Sequence, residues 1–129
     1  MFALLHAAHA LEERLERALE TVGLSMPKLS VLSALADAGR SQTLGDLAQR
    51  LSCVRSNITQ LVDRMEAEGL VRRVSDPSDR RIVLAQLTAL GGERQKAGVM
   101  QVEAVQSHFA ASLSSDDRAA LQRAVMQLR

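Results

Sequence analysis

The sequence predicts a mainly α-helical fold that contains one short β hairpin, and three observations lead to that prediction. Apolar residues recur at helical spacing along most of the 129 residues. Capping residues and glycines divide this periodic pattern into separate helices. Near the middle, two strand-like runs, "LVRRV" and "RIVLAQLT", flank the turn sequence "DPSD". This hairpin is the one appreciable sheet that we expect.

The composition limits what such a fold does. Hydrophobic residues make up 47% of the chain, but two Phe are its only aromatic residues, so the core must consist of Leu, Val, Ala and Met. The formal net charge is +1, so a nucleic-acid function has to come from local clustering of charge. All basic residues except Lys28 and Lys96 are arginines, which favour bidentate contacts with phosphate and guanine.

The cysteine content and the apolar runs indicate a compartment. A single cysteine, Cys53, excludes an internal disulfide and favours a reducing cytosol. The opening run "MFALLHAAHA" has no basic residue before its apolar part and continues directly into a helical pattern, unlike a signal peptide. No run approaches the ~20 apolar residues that span a bilayer. We therefore expect a soluble, cytoplasmic protein.

The ends of the first two helices are marked by capping residues and glycines. Helical spacing of apolar residues extends over residues 2–22, and Gly23 is a plausible stop. Ser25 then caps a second helix, which has Pro27 in its first turn and ends at Gly39.

Two shorter segments precede the hairpin. Thr43 with Asp46 three residues later forms a capping box that opens the short helix "LGDLAQRL". A brief turn then leads to a longer helix over residues 54–68, which Gly69 closes.

Two helices follow the hairpin. Thr88 caps a long fifth helix over residues 89–113. Ser114 and Asp117 form a second capping box for the last helix, which ends near Leu128.

The chain is expected to fold as one domain, residues 1–129, in three parts. Residues 25–88 form a compact centre, which we interpret as the DNA-binding core. Residues 1–22 and 89–129 form amphipathic helices with more apolar surface than this small centre covers. Pairing with a second copy of the chain is the simplest way to bury that surface, so we expect a homodimer.

Two short helices, a tight turn, a longer helix and a hairpin describe a winged helix-turn-helix with a helical dimerisation region. At ~100° per residue, one face of the fourth helix is apolar and should pack inward. Its members are Val54, Ile58, Leu61, Val62 and Met65. The opposite face is polar, and a merely solvated surface is the alternative interpretation. The basic hairpin beside it favours DNA contact.

The outer face of this helix supplies the candidate DNA-reading residues. Short polar side chains near a helix N-terminus read base edges in a major groove, and arginines bind phosphates on its flanks. We predict base contacts by Ser56, Asn57, Gln60 and, at the edge, Thr59. We predict phosphate contacts by Arg55, Arg64, Arg72 and Arg80. At least one of Arg72 and Arg73 on the first strand should face phosphate.

The run "LGDLAQRLSCVRSNITQLVDRMEAEGLVRRVSDPSDRRIVLAQLT" resembles the multiple-antibiotic-resistance-regulator (MarR) family of bacterial transcription factors. The segment "NITQLVDRMEAEGLVRR" resembles its recognition helix and first wing strand. The wing signature of Asp, any residue, Arg, five residues and Leu-Thr is met by Asp79, Arg81, Leu87 and Thr88. The resemblance covers essentially the whole chain. It implies a homodimer that represses nearby genes from a palindromic double-stranded DNA operator.

The resemblance also implies roles for two wing residues. Arg81 resembles the arginine that enters the minor groove, and Asp79 resembles the carboxylate that orients it; a narrow minor groove attracts arginine. The chain departs from the family at Val54, where Ser often caps the recognition helix. Ser52 could cap instead, or the helix could start elsewhere.

Cys53 and the histidines raise the alternative of a redox-responsive or metal-responsive regulator. Cys53 precedes the recognition helix, where a nearby cation lowers a thiol pKa, but a small buried apolar residue is the favoured interpretation. His6, His9 and His108 could approach one another between the first and fifth helices. Exposed helix-face histidines are the commoner case, so we predict no metal site.

A small-molecule effector is implied by the resemblance alone, because relatives commonly release DNA when a compound binds between the dimerisation helices and the winged domain. The corresponding candidates here are Leu5, His9, Leu32, Leu35 and Val105. We find no glycine-rich phosphate loop and no catalytic constellation, so we predict neither enzyme activity nor a cofactor. A winged helix that binds a protein partner and no DNA is the remaining alternative.

Overall fold

The structure, a computed structural model, describes residues 2–127. The elements in this part of the chain are α1 (Phe2–Glu20), α2 (Met26–Ala38), β1 (Gln42–Thr43), α3 (Leu44–Arg50), α4 (Arg55–Ala67), β2 (Val71–Ser75), β3 (Val83–Leu87), α5 (Ala89–Ala111) and α6 (Ser115–Gln127). The mainly helical fold and the order of helices and hairpin are as predicted.

The predicted caps determine several helix boundaries. Ser25, Thr43 and Ser114 each accept, on the side-chain oxygen, a hydrogen bond from the backbone N–H three residues later. Gly39 closes α2 with a left-handed φ of 65°, a conformation that a residue without Cβ adopts at no steric cost.

The first and fifth helices end earlier than predicted. α1 ends at Glu20 because residues 21–23 form a turn that leads toward α2. α5 ends at Ala111, where the N–H of Ser112 bonds back to the last helical carbonyls. The predicted end of the last helix, near Leu128, lies outside the described residues.

The hairpin is part of a three-stranded antiparallel sheet with the strand order β1-β3-β2. β2 pairs with β3 from Val71 opposite Leu87 to Ser75 opposite Val83. β1 pairs Gln42 with Ala85 along the other edge of β3. β1 was not predicted, because a two-residue strand is too short to show alternating polarity.

The core lies between α2, α3, α4 and the sheet, and α1 and α5 pack against it through Leu19 and Gly98. Its largest fully buried side chains are aliphatic residues and one Met: Leu19, Val31, Leu32, Leu35, Leu47, Ile58, Val62, Met65, Leu70 and Val71. Burying each such side chain contributes about 1.5–3 kcal/mol. The small aromatic content is thus matched by an aliphatic core, as predicted.

α5 begins directly on the backbone at the base of the hairpin. The N–H of Thr88 donates to the Leu70 carbonyl oxygen at 3.2 Å, and its hydroxyl donates to the Gly69 carbonyl at 2.6 Å. The Thr88 Oγ1 also accepts from the N–H of Gly91 at 2.9 Å, which caps α5. A Cβ at Gly91 would lie 2.0 Å from the Leu70 carbonyl oxygen. This close approach requires glycine.

The terminal helices leave apolar side chains on the surface. Phe2 and Leu5 of α1 are exposed, and so are Leu121, Val125 and Met126 of α6. No residue of α6 is buried. Within residues 2–127, no helix is both long and apolar enough to cross a membrane.

We predict that Gly91→Ala destabilises the protein by about 1–3 kcal/mol, because its Cβ would overlap the Leu70 carbonyl. Gly92→Ala is the matched control: the nearest atom to its Cβ is 3.9 Å away, so alanine should stabilise α5 by up to about 1 kcal/mol. Urea unfolding at one fixed protein concentration measures both variants. Equal free energies of unfolding would contradict the close contact.

Candidate nucleic-acid interface

The polar face of α4 is exposed on the surface of the protein. Ser56, Asn57, Gln60 and Arg64 are exposed, and Arg55 is exposed at the first position of the helix. The inner face, by contrast, is anchored by fully buried Ile58, Val62 and Met65, with Leu61 half-buried. The structure therefore brings the predicted base-reading side chains together on one accessible surface.

Thr59 lies at the edge of that surface. It is half-buried, and its hydroxyl donates to the Arg55 carbonyl oxygen at 3.0 Å within α4. The hydroxyl proton is thus used inside the helix, although the oxygen still has a free lone pair.

The start of α4 differs from the prediction. Val54 is the N-cap residue, with extended backbone angles, no side-chain cap and 66% exposure. Its predicted inward position was wrong, because the periodicity of a helix does not apply to the residue before its first turn. Ser52 does not cap α4 either; it has a φ of 53° in the turn after α3. The N-terminus of the recognition helix therefore has no side-chain cap.

Cys53 is exposed in the same turn, so the expectation of a small buried residue was wrong. Its N–H donates to the Ala48 carbonyl at 2.9 Å, which orders the backbone of the turn while the side chain points outward. Among the described residues, no group of three His, Cys, Asp or Glu side chains is arranged to hold a metal ion.

The tip of the hairpin is a structured turn. The N–H of Ser78 donates to Asp76 Oδ1 at 2.9 Å, and the Ser78 hydroxyl donates to the same atom at 2.7 Å. These hydrogen bonds, the hydroxyl's first, hold the pKa of Asp76 below its usual value. The N–H of Ile82 bonds to the Asp79 carbonyl at 3.0 Å, so both ends of the turn are fixed.

Asp79 holds the guanidinium of Arg81 with two side-chain hydrogen bonds. Arg81 Nε donates to Asp79 Oδ1 at 3.0 Å, and Nη2 donates to Oδ2 at 3.0 Å. The side chain of Arg81 is nevertheless 91% exposed. The side-chain hydrogen bond from Arg81 lowers the pKa of Asp79, and the same bond raises the pKa of Arg81. The pair thus presents a fixed cation at the tip while remaining charged at neutral pH.

The other arginines of the hairpin have different environments. Arg80 is exposed beside Arg81. Arg72 is exposed on β2, and its Nε donates to Gln86 Oε1 on the neighbouring strand. Of Arg72 and Arg73, the expected phosphate-facing arginine is therefore Arg72.

Arg73 is held by two carboxylates of α4. Its Nη1 donates to Glu66 Oε1 at 3.0 Å, its Nη2 donates to Asp63, and its backbone N–H donates to Glu66 Oε2 at 2.7 Å. Burial lowers the pKa of Arg73, but the hydrogen bonds to Asp63 and Glu66 outweigh it and raise the value. This cluster was not predicted, although the sequence places its two carboxylates three residues apart on one helix face.

The five effector candidates do not line one cavity in the described chain. Leu32 and Leu35 belong to the buried core, whereas Leu5 and His9 are exposed on α1. Val105 is half-buried on α5 beside a shallow groove that Arg14 and His108 also line.

An α4 with an exposed polar face, joined to a hairpin with a fixed basic tip, defines a DNA-binding winged helix-turn-helix protein. The MarR family matches residues 24–83. YsmB, an HTH-type transcriptional regulator of Bacillus subtilis, is 30% identical over 129 residues, which cover 98% of this chain and 86% of YsmB. The chain belongs to the MarR family, and it is a transcriptional regulator rather than an enzyme.

Two further similarities have a narrower meaning. The transcriptional activatory protein BadR of Rhodopseudomonas palustris is 38% identical over 92 residues, which cover 70% of this chain but 53% of BadR. The chain thus spans about half the length of that relative. A mutant of Escherichia coli MarR complexed with operator DNA has a TM-score of 0.81 at 23% identity, with 98% of this chain and 91% of that chain covered. That likeness shows the fold.

We predict that the backbone amide of Arg73 reports the titration of Glu66. The Arg73 N–H, as the largest cause, lowers the pKa of Glu66 below its ordinary value of 4.5. The interaction therefore stabilises the folded state above that pH and is lost as the pH falls through the lower, folded-state value. An amide NMR titration should give a midpoint below 4.5, and Glu66→Gln should remove that step. A midpoint above the ordinary value would refute the hydrogen bond.

Proposed function

We propose that the protein is a homodimeric repressor that binds a palindromic operator, with α4 in the major groove and the hairpin, or wing, in the adjacent minor groove. The observation that carries this proposal is the exposed guanidinium of Arg81, which is held at the wing tip by the two hydrogen bonds that it donates to Asp79. Narrow minor grooves concentrate negative potential and attract arginine. A side chain already held in one pose loses less conformational entropy on binding.

The proposed role of each residue in this interface follows from the exposure and the hydrogen bonds of its side chain. Ser56, Asn57 and Gln60 read base edges, because each is exposed on the outer face of α4. Thr59 contributes at the edge of the face, where its oxygen accepts a hydrogen bond. Phosphates are bound by exposed arginines of α4 and the wing, which are Arg55, Arg64, Arg72 and Arg80.

The homodimer is proposed from the apolar residues that the terminal helices leave exposed. Residues 25–88 then form the DNA-binding core, and residues 1–22 and 89–129 form the dimerisation region. α6 buries nothing within one chain yet carries Leu121, Val125 and Met126 on its surface. A dimer of winged helices places its two recognition helices one turn of DNA apart, about 34–36 Å.

Repression is the proposed mode because occupation of a promoter by the dimer is sufficient for it. BadR is named as an activatory protein, so activation is the alternative that an experiment has to distinguish from repression. Deleting the gene should raise transcription from the bound promoter, and a fall would show an activator.

Release by an effector is proposed for the junction of α1, α2 and α5. A ligand there would act only through its differential affinity for dimers with different spacings of the recognition helices. The exposed Leu5 and His9 and the half-buried Val105 are the accessible members of the candidate set. Operator binding measured with phenolic acids, an oxidant and zinc tests this step, and affinity unmoved by all three would leave a constitutive binder.

We predict that Arg81→Ala weakens operator binding by about 1–3 kcal/mol and reduces the slope of log K against log salt by about 1. Arg40→Ala is the charge-matched control. Arg40 is exposed and follows the C-terminal end of α2, whereas the N-terminal end of α2 lies beside α4. Fluorescence anisotropy over a salt series measures both. Binding that ignores salt would instead favour a module that recognises a protein.

We predict that Val125→Glu dissociates the dimer, because it places a carboxylate in the apolar surface of α6. Gln127→Glu adds the same charge at an exposed polar position of the helix and should leave the dimer intact. Analytical ultracentrifugation at micromolar concentration measures the association. A full-length protein that is already monomeric there would contradict the proposed assembly.

A further inference from the structure

The strand β2 lies at the edge of the sheet, and its outer hydrogen-bonding side faces α4. The strand order β1-β3-β2 gives β2 one strand neighbour, β3, in which Ala85 lies opposite Arg73; the side of β2 away from β3 has no strand. An edge strand normally leaves N–H groups without partners. Here Glu66 Oε2 accepts the Arg73 N–H at 2.7 Å. A side chain of the recognition helix thus takes the place of a further strand.

The side chain of Arg73 extends the same connection. Its guanidinium donates to Glu66 at 3.0 Å through Nη1 and to Asp63 through Nη2. Arg73 is 26% exposed, whereas Asp63 and Glu66 are 58% and 38% exposed. Three hydrogen bonds therefore join two turns of α4 to one residue of the wing.

We propose that Asp63, Glu66 and Arg73 form a clamp that fixes the wing relative to the recognition helix, and that all three are positioning residues for DNA binding. This inference rests on the proposed DNA-binding function. The clamp acts without touching DNA: it fixes the distance and angle between the side chains of α4 that read bases and the arginine that enters the minor groove.

The charges of the clamp argue against a direct role in phosphate binding. The formal charge of one arginine and two carboxylates is −1, and both carboxylates belong to the helix that approaches the DNA. Such charges repel phosphate. The hydrogen bonds to the two carboxylates also engage Nη1 and Nη2 of Arg73, which it would otherwise offer to the DNA. The arrangement favours holding the wing over attracting phosphate.

The clamp lies where a small change in the tilt of the wing displaces Arg81. Arg73 lies in the middle of β2, and the wing continues beyond it to the turn at Asp76. At about 3.3 Å per residue, that part of the strand extends about 10 Å past the clamp. A change of tilt at Arg73 therefore displaces the tip, and Arg81 with it, relative to α4.

Comparing Glu66→Ala with Glu68→Ala tests this proposal, because the direction in which operator affinity changes distinguishes the clamp from simple electrostatics. Glu68 is on the same end of the helix but pairs with Lys28 at 2.7 Å, away from the wing. Both variants remove one negative charge, so electrostatics alone predicts equal or tighter binding for both. The clamp predicts that Glu66→Ala weakens operator binding about fivefold or more, up to the loss caused by Arg81→Ala, while Glu68→Ala does not weaken it.

A double-mutant cycle separates positioning from simple stabilisation. If the clamp positions the wing, Arg81→Ala costs less affinity in the Glu66→Ala background than in the wild type, although the two residues do not contact each other. Arg64→Ala, on α4 itself, should be additive with Glu66→Ala. Additivity of Glu66→Ala with Arg81→Ala would overturn the proposal, as would tighter binding by Glu66→Ala.

Hydrogen exchange in the absence of DNA makes the clamp testable on its own. Glu66→Ala should accelerate exchange of the wing amides, that of Arg73 above all, while the core amides of α2 exchange as in Glu68→Ala. Unchanged wing exchange would overturn the clamp even in a protein that binds DNA. Accelerated wing exchange in a protein that binds no operator would instead refute the proposed function and leave the clamp standing.

Discussion

The contact between the start of α5 and the backbone of Leu70 is the constraint on which the relative placement of α4 and α5 depends. Leu70 follows α4 and precedes β2, so its carbonyl marks the junction of the recognition helix and the wing. Thr88 donates to that carbonyl, and the missing side chain at Gly91 lets α5 approach it. Any reorientation of α5 must therefore move the base of the wing, because close-packed backbones transmit displacement rather than absorb it.

The wing signature combines residues with different physical roles. Asp79 and Arg81 form an exposed, charged pair at the tip, where a ligand reaches them. Leu87 pairs with Val71 at the base of the hairpin, and Thr88 caps α5. A single stretch of sequence therefore supplies both the charged pair at the tip of the wing and the residues that connect its base to α5. Loss of either half would damage the interface through different mechanisms.

Features that depend on residues close together in the sequence were predictable, whereas contacts between residues far apart in the sequence were not. Caps at Ser25, Thr43 and Thr88 act within three residues, so the sequence located those helix starts correctly. The exposure of Cys53 and Val54 depends on the exact residue at which a helix begins. The partners of Arg73 lie seven and ten residues away on another element. Periodicity contains no information about such contacts.

The pairing of Arg81 with Asp79 also affects how the protein meets DNA over time. A guanidinium beside a carboxylate is a dipole, and its field decays with distance faster than that of a single charge. Diffusional attraction therefore has to come from arginines such as Arg80 and Arg64, which are exposed at the tip and on α4. In the proposed complex, Arg81 would enter the groove together with the wing, so its contact would govern how long the complex lasts more than how quickly it forms.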